Sequence, residues 1–351
     1  MRIQRICAGL SRKNLDALLV SSAENISYLT DYPSRDSYLL VSKKSNIYFT
    51  DSRYMEEAEK ALKGKAVVRQ LKGPLFQAVA DACSKLGLRR VGFEEGNISY
   101  AWHAKIEREL ADKARLFPSG GIIEALREIK TAGEIKKIRK AASIAVEGFR
   151  FIKKLLSPGM KEIEAAAELE RFIRYNGACA SAFDIIVASG PNSSLPHHLT
   201  SHRKIGKNEP ILIDMGVNYL GYKSDLTRVY FLGKITPAVA KIYDIVRAAN
   251  HYAISRIKPS VHKNIIDAAA RQYITRKGYG GFFGHSLGHG IGLETHEGPR
   301  ISQFAKGPLK PGMVFTVEPG IYLPGRFGIR LEDMVLVTRK GCEVLSGVLD
   351  K

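Results

Sequence analysis

Apolar residues along the first third of the chain change their spacing in a way that predicts alternating strands and helices. Ile3, Ile6 and Leu10 recur at helical spacing, whereas the apolar run Ala17–Val20 has the length of a buried strand. Further strands are expected at 38–41, 47–50, 67–71, 91–94 and 115–117, and helices at 53–63, 74–86 and 99–112. Interleaved strands and helices predict an α/β domain. A Pro-Ser-Gly-Gly run at 118–121 indicates its end, so we place this domain at 1–125.

The second part of the chain, 126–351, repeats one arrangement: two amphipathic helices followed by a β-hairpin. The four helices are expected at 131–155, 161–177, 237–257 and 263–277. The hairpin strands are expected at 210–214 and 224–231, and then at 314–318 and 329–337. Two helix-helix-hairpin halves predict an α+β catalytic domain with pseudo-twofold symmetry, although no residue-by-residue repeat is evident.

Each predicted hairpin carries two carboxylates. The midpoint between Asp214 and Asp225 lies between Tyr219 and Leu220, so a hairpin that folds there would set the two aspartates directly opposite, with Cβ atoms about 5 Å apart. In the same way, Glu318 and Glu332 are symmetric about Gly325. Like charges that face each other destabilise a sheet, and a bound cation or a shared proton would offset that cost.

A histidine-rich stretch at 283–297 precedes the second hairpin. It contains His285, His289 and His296, three of the nine histidines, among several glycines that allow close backbone approach. A flexible loop with surface histidines is the alternative interpretation. Together with four carboxylates, however, one imidazole would complete a two-metal site that generates a hydroxide nucleophile. A set of four oxygen donors and one nitrogen donor favours Mn²⁺ or Co²⁺, whereas a sulfur-rich set of donors would favour Zn²⁺.

A simpler interpretation of the acidic residues remains open from the sequence. Asp214 and Glu318 could merely end strands, while Asp225 and Glu332 could form salt bridges to nearby arginines, Arg228 and Arg330. This alternative is plausible for any one of these residues. It becomes improbable when all of them occur in one repeated pattern.

The composition excludes some classes of function. The net charge of +19 would suit nucleic acid or an anionic membrane, but the lysines and arginines are spread along the whole chain without an RNP or C₂H₂ pattern. A solvated basic surface is therefore expected, and nucleic-acid binding is not. No apolar run reaches the length of a membrane span, and the first residues do not resemble a secretory signal. The four cysteines are scattered without a CxxC motif, which indicates a reducing, cytoplasmic location.

Five sequence blocks carry a resemblance to a known family. They are IDMG at 213–216, SDLTR at 224–228, GHG at 288–290, VEPG at 317–320 and RLED at 330–333. In this order they resemble the signature of the pita-bread metallopeptidases, which include Xaa-Pro dipeptidases (prolidases), aminopeptidase P and, more distantly, methionine aminopeptidase. Residues 1–125 resemble the creatinase/prolidase amino-terminal domain, so the resemblance covers nearly the whole chain.

The resemblance implies a role for each candidate metal ligand. Asp214 would chelate one metal ion, and His289 with Glu318 would hold the other. Asp225 and Glu332 would bridge the two ions. Glu318 would also be the base that handles the bridging water, which attacks the scissile carbonyl.

The resemblance further implies residues that bind substrate. His197 and His296 would hydrogen-bond the substrate and stabilise the tetrahedral oxyanion. Tyr322 and Arg330 match positions that line the proline side of the pocket, and His285 matches a neighbouring histidine. The two ions would be Mn²⁺ or Co²⁺, with Zn²⁺ or Fe²⁺ as further possibilities.

The choice within the family favours an exopeptidase that hydrolyses the Xaa-Pro bond of dipeptides or short peptides. Methionine aminopeptidases generally lack the amino-terminal domain, and non-enzymatic relatives that act as binding proteins lack the full ligand set. Dipeptidase and aminopeptidase specificity stay open, because the loops that limit the carboxyl side of the substrate are not recognisable. The resemblance also implies a homodimer, in which the loop at 28–36 would reach the neighbour's site.

Overall fold

The computed structural model describes residues 2–347 and 349–351, and its contacts divide the chain into two compact units, Met1–Arg127 and Glu128–Lys351. The amino-terminal unit has six helices and six strands among its described residues. Its helices are α1 (Arg2–Arg12), α2 (Ala23–Thr30), α3 (Met55–Ala61), α4 (Leu75–Leu86), α5 (Tyr100–Leu110) and α6 (Glu124–Arg127). Its strands are β1 (Ala17–Val20), β2 (Tyr38–Ser42), β3 (Ile47–Thr50), β4 (Val67–Gln70), β5 (Arg90–Phe93) and β6 (Arg115–Pro118).

The six strands form one mixed sheet in the order β4-β3-β2-β1-β5-β6. Strand β1 pairs in parallel with β5 and antiparallel with β2. All four residues of β1 are buried, as expected of a central strand that is covered on both faces. The predicted α/β architecture of this unit is confirmed.

Helix α2 is one element that the hydrophobic pattern did not predict. Its start is capped by the Ser22 side chain, which accepts a hydrogen bond from the Asn25 backbone N–H, and its end is Asp31 in a left-handed conformation, with φ of 56°. The helix is too short for a clear apolar period, since eight residues make little more than two turns. The loop predicted at 28–36 therefore begins only after Thr30.

The second unit contains four helices, two short 3₁₀ turns and thirteen strands among its described residues. The helices are α7 (Ala132–Leu155), α8 (Glu162–Tyr175), α9 (Pro237–Ser255) and α10 (Lys263–Arg276), and the 3₁₀ turns are Gly190–Ser194 and Gly280–Phe282. The strands of its first half are β7 (Ala180–Ser181), β8 (Ile186–Ser189), β9 (Pro210–Met215), β10 (Val217–Tyr219), β11 (Tyr222–Lys223) and β12 (Leu226–Phe231). Those of its second half are β13 (Gly288–Gly290), β14 (Glu297–Ile301), β15 (Val314–Val317), β16 (Gly320–Leu323), β17 (Phe327–Arg330), β18 (Asp333–Val337) and β19 (Cys342–Val344).

The two predicted helix pairs of this unit are confirmed. Thr131 and Glu134 form a capping box at the start of α7, and Pro237 occupies the first turn of α9. Helices α7 and α8 pack on one apolar core, and α9 and α10 pack on another. Two helix pairs with sheets between them give the α+β pita-bread arrangement that the sequence predicted. None of the described helices combines the length and the apolar character that crossing a membrane requires.

The first hairpin differs from the predicted register. Residues pair so that Asp214 faces Thr227, and Met215 faces Leu226. The connection is a two-residue turn at Leu220 and Gly221, both with positive φ (50° and 83°), which is the type I′ geometry. The prediction that Asp214 and Asp225 lie directly opposite is therefore wrong, because the turn lies one residue further along the chain than the midpoint between the two aspartates.

The second hairpin has the predicted register. Val317 pairs with Asp333, and Gly320 pairs with Arg330, so that every pair is symmetric about Gly325. Gly325 has φ of 68°, a conformation that glycine adopts without strain. Glu318 and Glu332 consequently lie across from each other at the junction between the β15/β18 and β16/β17 ladders.

Candidate metal centre

The predicted ligands converge on one cavity of about 610 Å³ in the second unit. Asp214 is the penultimate residue of β9, and Asp225 directly precedes β12. His289 is the central residue of β13, while Glu318 and Glu332 lie at the junction in the second hairpin. All five side chains line the cavity. The two halves of the unit therefore deliver their carboxylates to the same place.

A group of three side chains within this set is spaced as a metal site requires. One ligand atom each from Asp225, His289 and Glu332 lie within 4.8 Å of one another. Glu318 is close by, with its Oε1 atom 3.4 Å from Nε2 of His289, and Asp225 Oδ2 lies 3.6 Å from the same nitrogen. Carboxylate oxygens and an imidazole nitrogen are ligands of Mn²⁺, Co²⁺, Fe²⁺ and Zn²⁺.

The acidic groups of the cavity are buried close to one another, so a bound cation would stabilise their ionised forms. Burial raises the pKa of Asp225, and the neighbouring Glu332, Asp214 and Glu318 raise it further. The pKa of Glu332 is raised in the same way, first by burial and then by Glu318 and Asp214. Burial also raises the pKa of Glu318 to about 8, against the opposing effect of Arg330. Without a counter-charge, these carboxylates can become neutral only by taking up protons.

Two orphaned oxygen atoms support the fit of a metal ion. Oδ1 of Asp214 and Oδ1 of Asp225 are buried and have no hydrogen-bond partner among the described residues. A buried carboxylate oxygen without a partner is costly, and coordination to a cation is one way to satisfy it. The residues of this cavity therefore fit divalent ions in their negative charge, in the type of their donor atoms and in having two carboxylate oxygens without a hydrogen-bond partner.

His289 is prepared as a neutral ligand. Its Nδ1 atom lies 3.1 Å from the Gly290 carbonyl oxygen, which can only accept, so Nδ1 carries the proton and Nε2 is left free toward Asp225 and Glu318. Burial lowers the pKa of His289 to about 4, and the neighbouring His296 lowers it as well. A neutral imidazole is the form that binds metals.

The arginines near the carboxylates pair differently from the alternative considered in the sequence. Arg330 donates to Oδ2 of Asp214 at 2.6 Å, not to Glu332. Arg228 pairs with Asp333 at 2.8 Å, not with Asp225. The salt-bridge alternative is therefore wrong in its pairings. Each arginine thus has an acidic partner other than the predicted bridging carboxylates, Asp225 and Glu332, which lie close to each other.

The structure brings the predicted substrate-binding histidines to the rim and wall of the cavity. His197 and His296 are exposed residues that line it, and the ring of His296 packs edge-on against His289 with centroids 4.2 Å apart. Burial lowers the pKa of His296, and His197 lowers it further. His285 lines the inner wall, where burial lowers its pKa to about 4.

Tyr322 lies behind this wall. Its hydroxyl accepts a hydrogen bond from Nη1 of Arg330 at 2.9 Å and lies 3.0 Å from Nε2 of His285. Arg330 also donates to the Pro196 carbonyl at 3.1 Å. Arg330, which is only 4% exposed, thus holds several parts of the wall together in addition to facing the cavity.

Some cavity residues were missed by the sequence reasoning. Arg300 is an exposed cation in the wall, with its Nε atom 3.3 Å from Oγ of Ser286. Glu297, which also lines the cavity, forms a buried ion pair with Lys130 at 2.9 Å. Neither has a motif signal of its own. The position of Glu297 directly after His296 was the only hint available.

The comparisons with known proteins agree with this geometry. A model of metallopeptidase family M24 matches residues 136–339, and one of the creatinase/prolidase N-terminal domain matches residues 2–129. A Xaa-Pro dipeptidase from Pyrococcus horikoshii is 34% identical over 347 residues, covering 98% of this chain and 96% of that protein. A solved Xaa-Pro dipeptidase from Bacillus anthracis superposes with a TM-score of 0.94 at 39% identity, covering 98% of this chain and 96% of that one. A solved X-Pro aminopeptidase from Thermotoga maritima gives a TM-score of 0.89 at 36% identity, covering 99% and 97%.

Proposed function

Because the chain belongs to metallopeptidase family M24, we propose that it is an exopeptidase that hydrolyses the bond between a first residue and a following proline. As a member of this family it is a metallopeptidase of the prolidase type. The finer proposal is that dipeptides or short peptides bind in the cavity with their amino end near the carboxylates. The convergence of five ligand side chains with two orphaned carboxylate oxygens is the observation that carries it.

We propose that the five side chains hold two divalent metal ions. Asp214 would bind one ion, His289 and Glu318 the other, and Asp225 and Glu332 would bind both. Mn²⁺ and Co²⁺ suit this oxygen-rich set best, with Zn²⁺ and Fe²⁺ as alternatives. When bound, such ions lower the pKa of water and polarise a carbonyl, which supplies a nucleophile and an electrophile near neutral pH.

The protein's own groups would manage the proton and the developing charge. Glu318, which lines the cavity with its Oε1 atom 3.4 Å from Nε2 of His289, would accept a proton from the attacking water and return it to the leaving nitrogen of proline. His197 and His296 lie at the rim, where a donor could stabilise the oxyanion. Arg330 would hold Asp214 in place and shape the proline side with Tyr322 and His285.

Arg300 offers a basis for choosing between dipeptides and longer peptides. It lines the metal cavity and also an adjoining cavity of about 570 Å³. A guanidinium at this boundary suits the free carboxylate that a dipeptide carries on its proline. The adjoining cavity, in turn, provides space for the extra residues of a longer peptide. Similarity to both a dipeptidase and an aminopeptidase leaves this choice to experiment.

Hydrolysis of three peptides tests the proposal. Ala-Pro, Ala-Pro-Ala and Met-Ala-Ser would be incubated with the protein and Mn²⁺, Co²⁺ or Zn²⁺, with a chelator as control. Release of alanine from Ala-Pro alone would identify a dipeptidase, and release from Ala-Pro-Ala would identify an aminopeptidase. Cleavage of Met-Ala-Ser alone, or of no peptide with any of the metals, would contradict the proposal.

A further inference from the structure

A buried carboxylate outside the metal cavity organises the loop that carries His197. Glu162 is the first residue of α8 and is 0% exposed. Its Oε1 atom accepts hydrogen bonds from the backbone N–H and the hydroxyl of Ser189, at 2.7 and 2.8 Å. Its Oε2 atom accepts from the hydroxyl of Ser201 at 2.6 Å and from Nε2 of His198 at 3.0 Å. One carboxylate therefore joins the two ends of this loop, Ser189 and Ser201.

The charge state of this group is defined by its surroundings. Burial alone would raise the pKa of Glu162, but the hydrogen bonds from Ser201, Ser189 and His198 outweigh it, and the pKa is lowered. An ionised carboxylate can only accept, so Nε2 of His198 must carry a proton and donate. The His198 ring is consequently held in one orientation, with its side chain only 9% exposed.

Glu162 is not required to cap its own helix. The backbone N–H of Glu162 donates to the Arg203 carbonyl at 3.0 Å, and that of Ile163 donates to the Ser201 carbonyl at 3.0 Å. The first backbone N–H groups of a helix have no partner within the helix and are usually satisfied by a side chain near the helix start. Here carbonyl groups of the loop satisfy two of them, and the Glu162 carboxylate accepts hydrogen bonds from both backbone and side-chain donors of the loop instead.

His197 lies between two points of attachment. On its amino side, the Pro196 carbonyl accepts a hydrogen bond from Nη1 of Arg330 at 3.1 Å. On its carboxyl side, the His198 ring donates to Glu162. His197 itself is exposed and lines the metal cavity, so its backbone is held on both sides while its side chain faces the substrate space.

From this arrangement we propose that Glu162 and His198 are positioning residues, which act on Xaa-Pro hydrolysis by holding His197 in place. The inference rests on the function proposed for the cavity and on the role of His197 in it. Displacement of a catalytic group by about 1 Å can reduce a rate by about 10²-fold. Loss of the Glu162–His198 contact should therefore lower kcat. It should have no further effect on kcat once the His197 side chain has been removed.

The experiment compares variants of the full chain loaded with Mn²⁺, with Ala-Pro as substrate. His198→Phe keeps an aromatic ring but removes the donor, and leaves Glu162 with its hydroxyl partners. We expect kcat to fall by about ten- to a hundredfold, with bound Mn²⁺ and the melting temperature close to wild type. His198→Gln restores a donor at the same reach and should recover most of kcat. The exposed His202, one residue beyond this loop, serves as a matched control, since His202→Gln should leave kcat unchanged.

A double-mutant cycle separates positioning from general structural damage. If His198 acts through His197, adding His198→Phe to His197→Ala should change kcat by less than about threefold. Glu162→Gln, which keeps the side-chain shape, should behave like His198→Phe in the same cycle. Multiplicative losses in the double variants, or an unchanged kcat in both single variants, would overturn the inference. If His197→Ala alone left kcat unchanged, the proposed role of His197 would fail, and the inference with it.

Discussion

The two halves of the catalytic unit build similar hairpins but present their carboxylates in different ways. In the second half, Glu318 and Glu332 lie across from each other, symmetric about Gly325. In the first half, the two aspartates are displaced along the ladder, since Asp214 faces Thr227. In the second hairpin, the register of the strands is therefore enough to place the two carboxylates opposite each other. The first hairpin separates its carboxylates.

This difference separates the electrostatic roles of the acidic residues. Asp214 is paired at 2.6 Å with Arg330, a cation supplied by the other half. Asp225, in contrast, faces Glu332 and His289, and its pKa is raised by burial and by Glu332. One carboxylate has a protein cation as a partner, while the others repel one another. Neither half contains all five candidate ligands, because Asp214 and Asp225 come from the first half and His289, Glu318 and Glu332 come from the second.

The loops that carry the cavity histidines show a related contrast. In the first half, Glu162 on α8 holds the loop next to His197. In the second half, Asp267 on α10 accepts from Arg271 at 2.7 Å and from the Leu287 backbone N–H at 3.0 Å. Arg271 also donates to the His285 carbonyl at 2.8 Å. Each half therefore uses a buried carboxylate on its second helix, and in the second half Arg271 joins that carboxylate to the histidine segment.

The largest effect is expected from neutralising Asp225, a carboxylate of the first half that lies beside His289 and Glu332 of the second half. Asp225→Asn should lower Ala-Pro hydrolysis by about 10³-fold or more, equivalent to about 4 kcal/mol of barrier, because the side chain loses its charge and much of its affinity for metal. Bound Mn²⁺ should fall in parallel, measured by mass spectrometry. The metal-free variant should fold and melt no lower than the metal-free wild type, since one source of repulsion is gone. Full activity in this variant would contradict the shared role of Asp225.

A smaller effect is expected at the rim. His296→Ala removes a donor that we place near the oxyanion, which should lower kcat by about 10²-fold while both Mn²⁺ sites stay filled. The residue lies beside His289, with ring centroids 4.2 Å apart, so metal content is the necessary control. Loss of metal from the variant would mean that His296 belongs to the ligand set instead.

The burial of Glu318, together with its repulsion by Asp214, predicts a pH dependence of the metal-free protein. The folded pKa of Glu318 is raised to about 8, above its unfolded value of 4.5, so the folded state binds the extra proton between these values. The free energy of unfolding should therefore be highest below pH 4.5 as far as this group is concerned, and should fall as the pH rises toward 8. Melting curves of chelator-treated protein between pH 5 and pH 8 measure this slope. Saturating Mn²⁺ should abolish it, and a flat profile without metal would contradict the electrostatic account.

The smallest effect concerns the turn that sets the first register. Leu220 adopts φ of 50° in a type I′ turn and is followed by Gly221. Asn tolerates this conformation better than leucine, so Leu220→Asn should raise the free energy of unfolding by up to about 1 kcal/mol. Denaturant titration measures the gain, and kcat for Ala-Pro should not change. A clear destabilisation would argue against the turn position and hence against the register of β9 and β12.

The sequence predicted those parts of the molecule that a local pattern specifies. The long apolar stripe of α7 and the symmetric turn at Gly325 each have one reasonable interpretation. The first turn was misplaced because Leu220 does not look like a residue with positive φ. The alternative in which Arg330 pairs with Glu332, near it in sequence, is wrong because the fold brings Arg330 to Asp214.

The missed positioning network has the same origin. At the start of a helix, Glu162 looks like an ordinary first-turn acid, and His198 looks like a duplicate of His197. Their contact joins positions 36 residues apart, and no spacing rule in the sequence predicts such a pair. Motif resemblance identified the candidate ligands, whereas the contacts that orient them depend on tertiary structure.

The most direct test of the two-half metal centre is the number of Mn²⁺ ions bound per chain at saturation, measured by native mass spectrometry on protein that hydrolyses Ala-Pro. We predict two ions for the wild-type chain, because Asp214 would bind one ion, His289 and Glu318 would bind the other, and Asp225 and Glu332 would bind both. A fully active protein that binds only one ion at saturation would contradict this prediction.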